Sequence, residues 1–117
     1  MEQIFYKTDN GVLLSVCGGT AELEELKAGT NEGAAEKHLP VVEVDGSRVS
    51  VKVGSVFHPM TAEHSIDWIY LQTCCGGHLR RLKADGEPAA VFTLAPEETP
   101  KAAYAYCNLH GFWKTEI

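Results

Sequence analysis

Most of the chain from about residue 39 onward alternates between apolar and polar side chains, most clearly at residues 49–53. A period of two places successive side chains on opposite faces, as half-buried strands require. Further strand-like runs occur at residues 65–71 and 89–94. Many short strands at this spacing predict an all-β fold, a β-sandwich.

Turn signals separate the predicted strands. Asp45-Gly46 follows an apolar run and favours a two-residue hairpin, and Asp85-Gly86 marks a second turn. Gly76-Gly77 is expected to interrupt the chain after the central strand at residues 65–71. The last expected strand, residues 102–107, would place Tyr104 and Tyr106 on one face and Cys107 on the other.

The first 35 residues have a different pattern. Strands are expected at residues 4–6 and 12–16, followed by a short helix at residues 21–27 and a glycine-containing connection. We therefore divide the chain into an N-terminal segment, residues 1–35, and a β-sandwich domain, residues 36–117.

Length and charge restrict the function. With 117 residues the chain is about one domain long, and its net charge of −6 with scattered basic residues argues against nucleic-acid binding. No apolar run is long enough for a membrane span and no secretion signal is evident, so we expect a cytoplasmic protein with no membrane partner. In a reducing compartment, free thiols or metal ligands are the better interpretation of its cysteines.

One cysteine and four histidines lie at expected strand ends or in adjoining loops, where a rigid scaffold can bring distant segments together. They form the candidate metal site: His38, His58, His64, Cys107 and His110. His78, in a glycine-rich turn, is left out. Taken singly, each histidine is more often a surface or hydrogen-bonded residue and Cys107 a small buried one. Five donors suit four-coordinate zinc poorly, whereas mixed imidazole and thiolate ligation suits iron or copper.

Four segments around these residues resemble the signature segments of the superoxide reductases, the desulfoferrodoxin and neelaredoxin family. The segments are Glu36-Lys37-His38-Leu39-Pro40-Val41-Val42-Glu43, Val51-Lys52-Val53-Gly54-Ser55-Val56-Phe57-His58-Pro59-Met60, Glu63-His64-Ser65-Ile66-Asp67-Trp68-Ile69 and Tyr106-Cys107-Asn108-Leu109-His110-Gly111-Phe112-Trp113. The resemblance covers about residues 36–117.

This resemblance implies an immunoglobulin-like β-sandwich that holds one iron ion, with the four histidines equatorial and the Cys107 sulfur axial. It further implies one-electron reduction of superoxide to hydrogen peroxide, an external donor such as rubredoxin, and a homo-oligomer. Glu36 and Lys37 match the family's glutamate and lysine, which makes them the candidate catalytic residues. Lys37 would raise the local positive potential for an anion, and Glu36 would occupy the sixth position after oxidation. As isolated residues, both are equally typical of a solvated loop.

The N-terminal segment departs from one branch of the family. In desulfoferrodoxins this region binds a second iron through four cysteines, but Thr8 and Gly11 stand where two of them would be. We therefore expect a remnant without that metal centre, which serves packing or dimer contact.

Two alternatives to the enzyme remain at this point. One is a non-catalytic metal-binding or electron-transfer protein that uses the same ligands. The other is a metal-free sandwich that serves protein contacts. The Glu36-Lys37 pair favours the enzyme, because electron transfer alone needs no charge beside an open site.

Overall fold

The computed structural model describes residues 3–9, 11–15, 23–29 and 35–117. These ranges contain ten strands and one short helix. The elements are β1 Ile4–Thr8, β2 Gly11–Ser15, β3 Glu24–Glu25, α1 Ala35–His38, β4 Pro40–Asp45, β5 Arg48–Val53, β6 Ile66–Thr73, β7 Gly76–Arg81, β8 Ala89–Thr93, β9 Pro100–Cys107 and β10 Gly111–Glu116. The expectation of an all-β protein is confirmed.

The strands form three antiparallel sheets. A three-stranded sheet of order β4-β5-β8 and a four-stranded sheet of order β10-β9-β6-β7 make up the sandwich. Seven strands divided in this way match the strand number of an immunoglobulin-like sandwich. The third sheet, of order β2-β1-β3, belongs to the N-terminal region.

Small and aliphatic side chains fill the space between the two sheets of the sandwich. Val49, Val51 and Val53 of β5 point inward from one sheet, and Ala103, Ala105 and Cys107 of β9 from the other. All six are at most 1% exposed. Cys107 is therefore part of the sandwich core, and its sulfur reaches the candidate site from inside the protein. We name all the buried side chains between the two sheets, these six among them, the aliphatic cluster.

A second cluster lies on the outer face of the four-stranded sheet. Phe5 of β1 packs there against Tyr70, Tyr104 and Phe112, with ring centroids 4.8 to 5.5 Å apart. The N-terminal sheet thus covers this outer face with its own aromatic side chain. We name this group the aromatic cluster. The expected division of Tyr104 and Cys107 between opposite faces of β9 is confirmed.

A β-bulge in β6 changes which side chains face the core. The pairing with β9 shifts between Ile66 and Trp68, and Ile66, Ile69 and Leu71 all belong to the aliphatic cluster. Strict alternation would have placed Ile66 and Ile69 on opposite faces. The extra residue lets β6 serve the aliphatic cluster on both sides of the irregularity.

Several local expectations need correction. The helix expected at residues 21–27 is wrong in its described part, because Glu24 and Glu25 form β3 and pair with β1. Residues 21 and 22 lie outside the described residues. Gly76-Gly77 does not end a strand but begins β7, and the turn consists of Cys74 and Cys75. The strand ending at residue 107 is not the last one, since β10 follows it.

The described residues include no helix long and apolar enough to cross a bilayer.

Candidate metal centre

Four chain segments supply the five donor side chains. His38 ends α1, His58 follows the turn after β5, and His64 precedes β6. Cys107 ends β9, and His110 lies in the turn between β9 and β10. All five side chains predicted from the sequence are brought together, with one donor atom from each within 4.8 Å of the others.

Short interatomic distances define which atoms face one another. His38 Nε2 lies 3.2 Å from His58 Nε2 and 3.1 Å from His110 Nδ1. Cys107 Sγ lies 3.3 Å from His58 Nε2 and 4.0 Å from His110 Nδ1. His110 therefore presents its Nδ1 atom to the group, whereas His38 and His58 present Nε2.

The four imidazole rings are arranged as a square. Going round from His38 through His58, His64 and His110, neighbouring ring centroids are 4.7, 4.5, 5.0 and 4.9 Å apart. The diagonal from His38 to His64 is longer, 6.5 Å. Neighbouring rings are nearly perpendicular, with interplanar angles of 71° to 89°. This arrangement turns four ring nitrogens toward a common centre.

The donor atoms fit a cation better than they fit one another. A neutral imidazole nitrogen carries either one proton or one lone pair, so His38 Nε2 cannot satisfy both His58 and His110 by hydrogen bonds. His64 Nε2 is buried and has no hydrogen-bond partner among the described residues. A shared metal ion would satisfy these nitrogens and the Cys107 sulfur together. The donor set therefore passes a chemical test for a metal.

The surroundings favour neutral imidazoles. Burial lowers the pKa of His58 to about 4, the other three imidazoles add to this, and the Pro59 carbonyl opposes it. Burial also lowers the pKa of His64, as do the charges of His110 and Lys37. Near pH 7 His58 is therefore in the form that binds metals. His58 Nδ1 donates to the Pro59 carbonyl at 2.7 Å, which leaves the Nε2 lone pair directed at the group.

Asn108 joins two segments that carry candidate ligands, a role that sequence reasoning missed. Its Oδ1 accepts from the Ser65 backbone at 3.0 Å, and its Nδ2 donates to the Glu63 carbonyl at 2.9 Å. The residues next to His64 are thus joined to the turn between Cys107 and His110. The sequence did contain a signal for this role. Asn108, whose amide carries both a donor and an acceptor, lies between the candidate ligands Cys107 and His110.

Trp113 and Gly54 support the position of His38. The Trp113 ring stacks on the His38 ring at a centroid distance of 4.9 Å, and its Nε1 donates to the His110 carbonyl at 3.0 Å. Gly54 has φ +88°, and a Cβ there would meet the backbone of Val56 and of Glu36. The backbone of α1 can approach the turn after β5 only because residue 54 has no side chain.

Glu36 and Lys37 lie next to the group but are exposed. The charge of Lys37 reaches His64, as its effect on the pKa of that residue indicates. Among the described residues, the group of close donor atoms contains no oxygen of Glu36. His78, which the sequence argument left out, lies elsewhere and binds Glu98 with a nitrogen to oxygen distance of 3.0 Å.

Thr8 and Gly11 face each other across the first hairpin. They are direct partners in the pairing of β1 with β2, and Thr8 Oγ1 donates to the Gly11 carbonyl at 3.0 Å. A hydroxyl and a glycine provide no thiolate at these two positions. Cys17 lies outside the described residues.

The sandwich and its donor group define a class, a β-sandwich protein with a mononuclear metal-binding group of four imidazoles and one thiol. Comparison with known proteins narrows this class. The family model for desulfoferrodoxin matches residues 30–116. The chain belongs to the desulfoferrodoxin family.

Individual relatives extend the comparison. A desulfoferrodoxin homologue of Archaeoglobus fulgidus is 45% identical over 102 residues, covering 87% of this chain and 78% of the relative. The superoxide reductase of Pyrococcus abyssi is 34% identical, covering 80% of this chain and 95% of the relative. The crystal structure of the superoxide reductase from Treponema pallidum superimposes with a TM-score of 0.89 at 40% identity, covering 99% of this chain and 100% of that one.

Proposed function

We propose that this chain is a superoxide reductase, which transfers one electron to superoxide and forms hydrogen peroxide at a mononuclear iron. The observation that carries this proposal is the approach of four imidazoles and one thiol to within 4.8 Å in a chain of the desulfoferrodoxin family. The reaction needs superoxide as substrate, an electron donor and two protons.

The proposed ligands of the iron are His38, His58, His64, Cys107 and His110. Three imidazoles and a thiolate would complete a zinc site, whereas five donors that leave one position open suit iron. When bound in its reduced form, iron supplies the electron that superoxide takes up. Cys107 lies in the hydrophobic core, so its thiolate would donate electron density from the side away from solvent.

The exposure of the ligands supports a direction of approach for the substrate. Cys107, His38 and His58 are buried, whereas His64 and His110 are only partly covered. Superoxide would therefore arrive on the solvent side of the imidazole square, opposite the sulfur.

Lys37 and Glu36 are the proposed catalytic residues. An exposed ammonium group near His64 would attract an anion to a protein whose net charge is −6. It would also hydrogen-bond the substrate or a water that delivers a proton. Glu36 would reach the open position after oxidation, which requires its side chain to move toward the group.

The electron donor, the oligomeric state, the location and the domain division stay predictions. We expect an external one-electron donor such as rubredoxin, a homo-oligomer and a cytoplasmic location. We also retain the division into residues 1–35 and 36–117, with the longer part as the catalytic domain.

The test combines iron quantitation with superoxide pulses. Protein produced with iron should contain about one iron per chain, and its reduced form should react rapidly with pulse-generated superoxide. His64→Ala should lose both properties, whereas the matched variant His78→Ala should keep them, because His78 binds Glu98 elsewhere. Stoichiometric iron without a fast reaction would instead identify a non-catalytic metal-binding or electron-transfer protein. Iron-free wild type would refute the iron site.

A further inference from the structure

A pair of neighbouring cysteines lies far from the metal centre. Cys74 and Cys75 are the two residues between Thr73 and Gly76, which pair directly at the end of the β6–β7 hairpin. Both have free, exposed thiols. His64 precedes β6 and Cys74 follows it, and eight residues of extended chain span about 26 Å. The metal centre makes no use of these sulfurs.

The two sulfurs have different surroundings. Cys74 Sγ accepts the Thr99 backbone N–H at 3.4 Å, and the Thr99 side chain also donates to it. The Cys75 thiol donates to the same sulfur, and Lys101 adds positive charge nearby. The hydrogen bonds from Thr99 lower the pKa of the Cys74 thiol most, and burial opposes this shift. In its thiol form Cys74 donates to the Glu97 carbonyl at 4.0 Å.

Cys75 is in the opposite situation. Its thiol donates to Cys74 and is also close to the Glu98 carboxylate, so its pKa is raised, whereas hydrogen bonds from Thr99 lower the pKa of Cys74. His78 holds Glu98 from β7, and Thr73 Oγ1 donates to Glu98 at 2.7 Å. The turn thus places a thiol whose pKa is lowered next to a thiol whose pKa is raised.

We propose that Cys74 and Cys75 form a peroxide-reactive dithiol, in which Cys74 is the nucleophile and Cys75 the resolving thiol. Its oxidant is hydrogen peroxide, which the proposed superoxide reductase reaction would release from the same molecule. The proposal rests on that function only for the source of the peroxide.

The reaction balances in two steps. The Cys74 thiolate attacks one peroxide oxygen, the O–O bond breaks, and the leaving hydroxide takes a proton to become water. Cys74 is then a sulfenic acid. The Cys75 sulfur attacks the Cys74 sulfur, the S–O bond breaks, and the thiol proton leaves with the hydroxide as a second water. Two thiols have lost two electrons, and one peroxide has become two waters.

The product is easily reduced again. Neighbouring Cα atoms are about 3.8 Å apart, whereas disulfides usually join Cα atoms about 4.4–6.8 Å apart. A disulfide between adjacent residues is therefore strained, and strained disulfides have more oxidising potentials. The dithiol can thus be reset by ordinary thiol reductants.

The experiment adds hydrogen peroxide directly to the full-length, metal-loaded protein in a Cys17→Ser background. Peptide mass spectrometry should find a disulfide between Cys74 and Cys75 that dithiothreitol removes. In Cys75→Ser, a sulfenic-acid reagent such as dimedone should label Cys74, because the resolving thiol is gone. In Cys74→Ser, both the disulfide and the label should be lost.

Thr99 provides a finer control. Thr99→Val removes the hydroxyl donor and should slow the labelling of Cys74 in the Cys75→Ser protein, whereas Thr99→Ser should restore it. Equal labelling of the two cysteines in the single variants would overturn the assignment of nucleophile and resolving thiol. Disulfides that form only between chains would overturn the resolving role of Cys75. Because peroxide is added, failure here leaves the superoxide reaction untouched, and failure of that reaction leaves this result intact.

Discussion

The aliphatic cluster and the aromatic cluster lie on opposite faces of the same four-stranded sheet, and they have different structural roles. The aliphatic cluster uses small side chains such as Ala103 and Ala105, so the two sheets approach closely and Cys107 reaches the ligand group. The aromatic cluster uses Phe5 and Tyr104 to attach the N-terminal sheet. The aliphatic cluster determines where the donors lie, whereas the aromatic cluster determines how firmly the N-terminal sheet is attached.

The largest effect is expected from a substitution in the aliphatic cluster. Cys107→Ser should abolish the visible thiolate-to-iron absorption of the oxidised protein, because that band requires a sulfur ligand. Absorption spectra of iron-loaded protein check this. Cys74→Ser, which removes an exposed sulfur at the other end of β6, should leave the band unchanged. A band that survives in Cys107→Ser would refute the assignment of the ligand.

In the aromatic cluster, Phe5→Ala should lower the free energy of unfolding without removing the metal. Phe5 is 6% exposed and contacts four aromatic rings. Loss of a buried phenylalanine typically costs about 3–5 kcal/mol. Denaturant unfolding measures the loss, and Leu13→Ala, at a half-exposed position of the same hairpin, should stay within about 0.5 kcal/mol of wild type. If Phe5→Ala also lost its iron, the two clusters would not be independent.

Asn108→Ala tests whether the ligand segments depend on local hydrogen bonds as well as on the core. Residues that orient metal ligands typically contribute about 10- to 100-fold to metal affinity. A similar loss is expected here in a chelator competition assay. Asn108→Asp keeps the acceptor for Ser65 but loses the donor to Glu63. Its metal affinity should therefore lie between those of wild type and Asn108→Ala. Wild-type affinity in Asn108→Ala would show that the core alone fixes the ligands.

Lys37→Ala should slow the reaction with superoxide by up to about tenfold, the lower end of electrostatic steering effects. Iron content should be unchanged, and the rate should depend less on salt. Pulse kinetics at several ionic strengths measure both. Lys37→Arg retains the charge and should react like wild type, so equal rates in all three proteins would remove the steering role.

The smallest effect is expected for Glu36→Ala. Its carboxylate is proposed to act only after oxidation, so the spectrum of the oxidised protein should change while the superoxide rate stays near wild type. Glu63→Ala, another exposed acid close to a ligand in the sequence, serves as the control. Identical oxidised spectra for Glu36→Ala and wild type would exclude the proposed ligand.

Much of this architecture follows from local sequence pattern. Alternating residues give β5, β8 and β9 directly, because half-buried strands need little beyond the period of two. The donors were identifiable by residue type and by the family resemblance, since imidazoles and a thiolate at strand ends are recognisable without coordinates.

Other features depend on contacts between distant segments. The bulge in β6 arises from its pairing with β9, so no local pattern reveals it. The helix α1 has four residues, too few to show a helical period. The strand β3 exists because Glu24 and Glu25 pair with β1, against a sequence that resembles a helix. The use of Nδ1 by His110 depends on how its turn folds back over Cys107.

Gly54 affects the geometry of the donor group although it supplies no donor atom. Even a methyl group at this position would meet the backbone of Val56 and of Glu36, so α1 and its His38 would have to move away. A chain could therefore keep all five donor residues and still fail to bring them together.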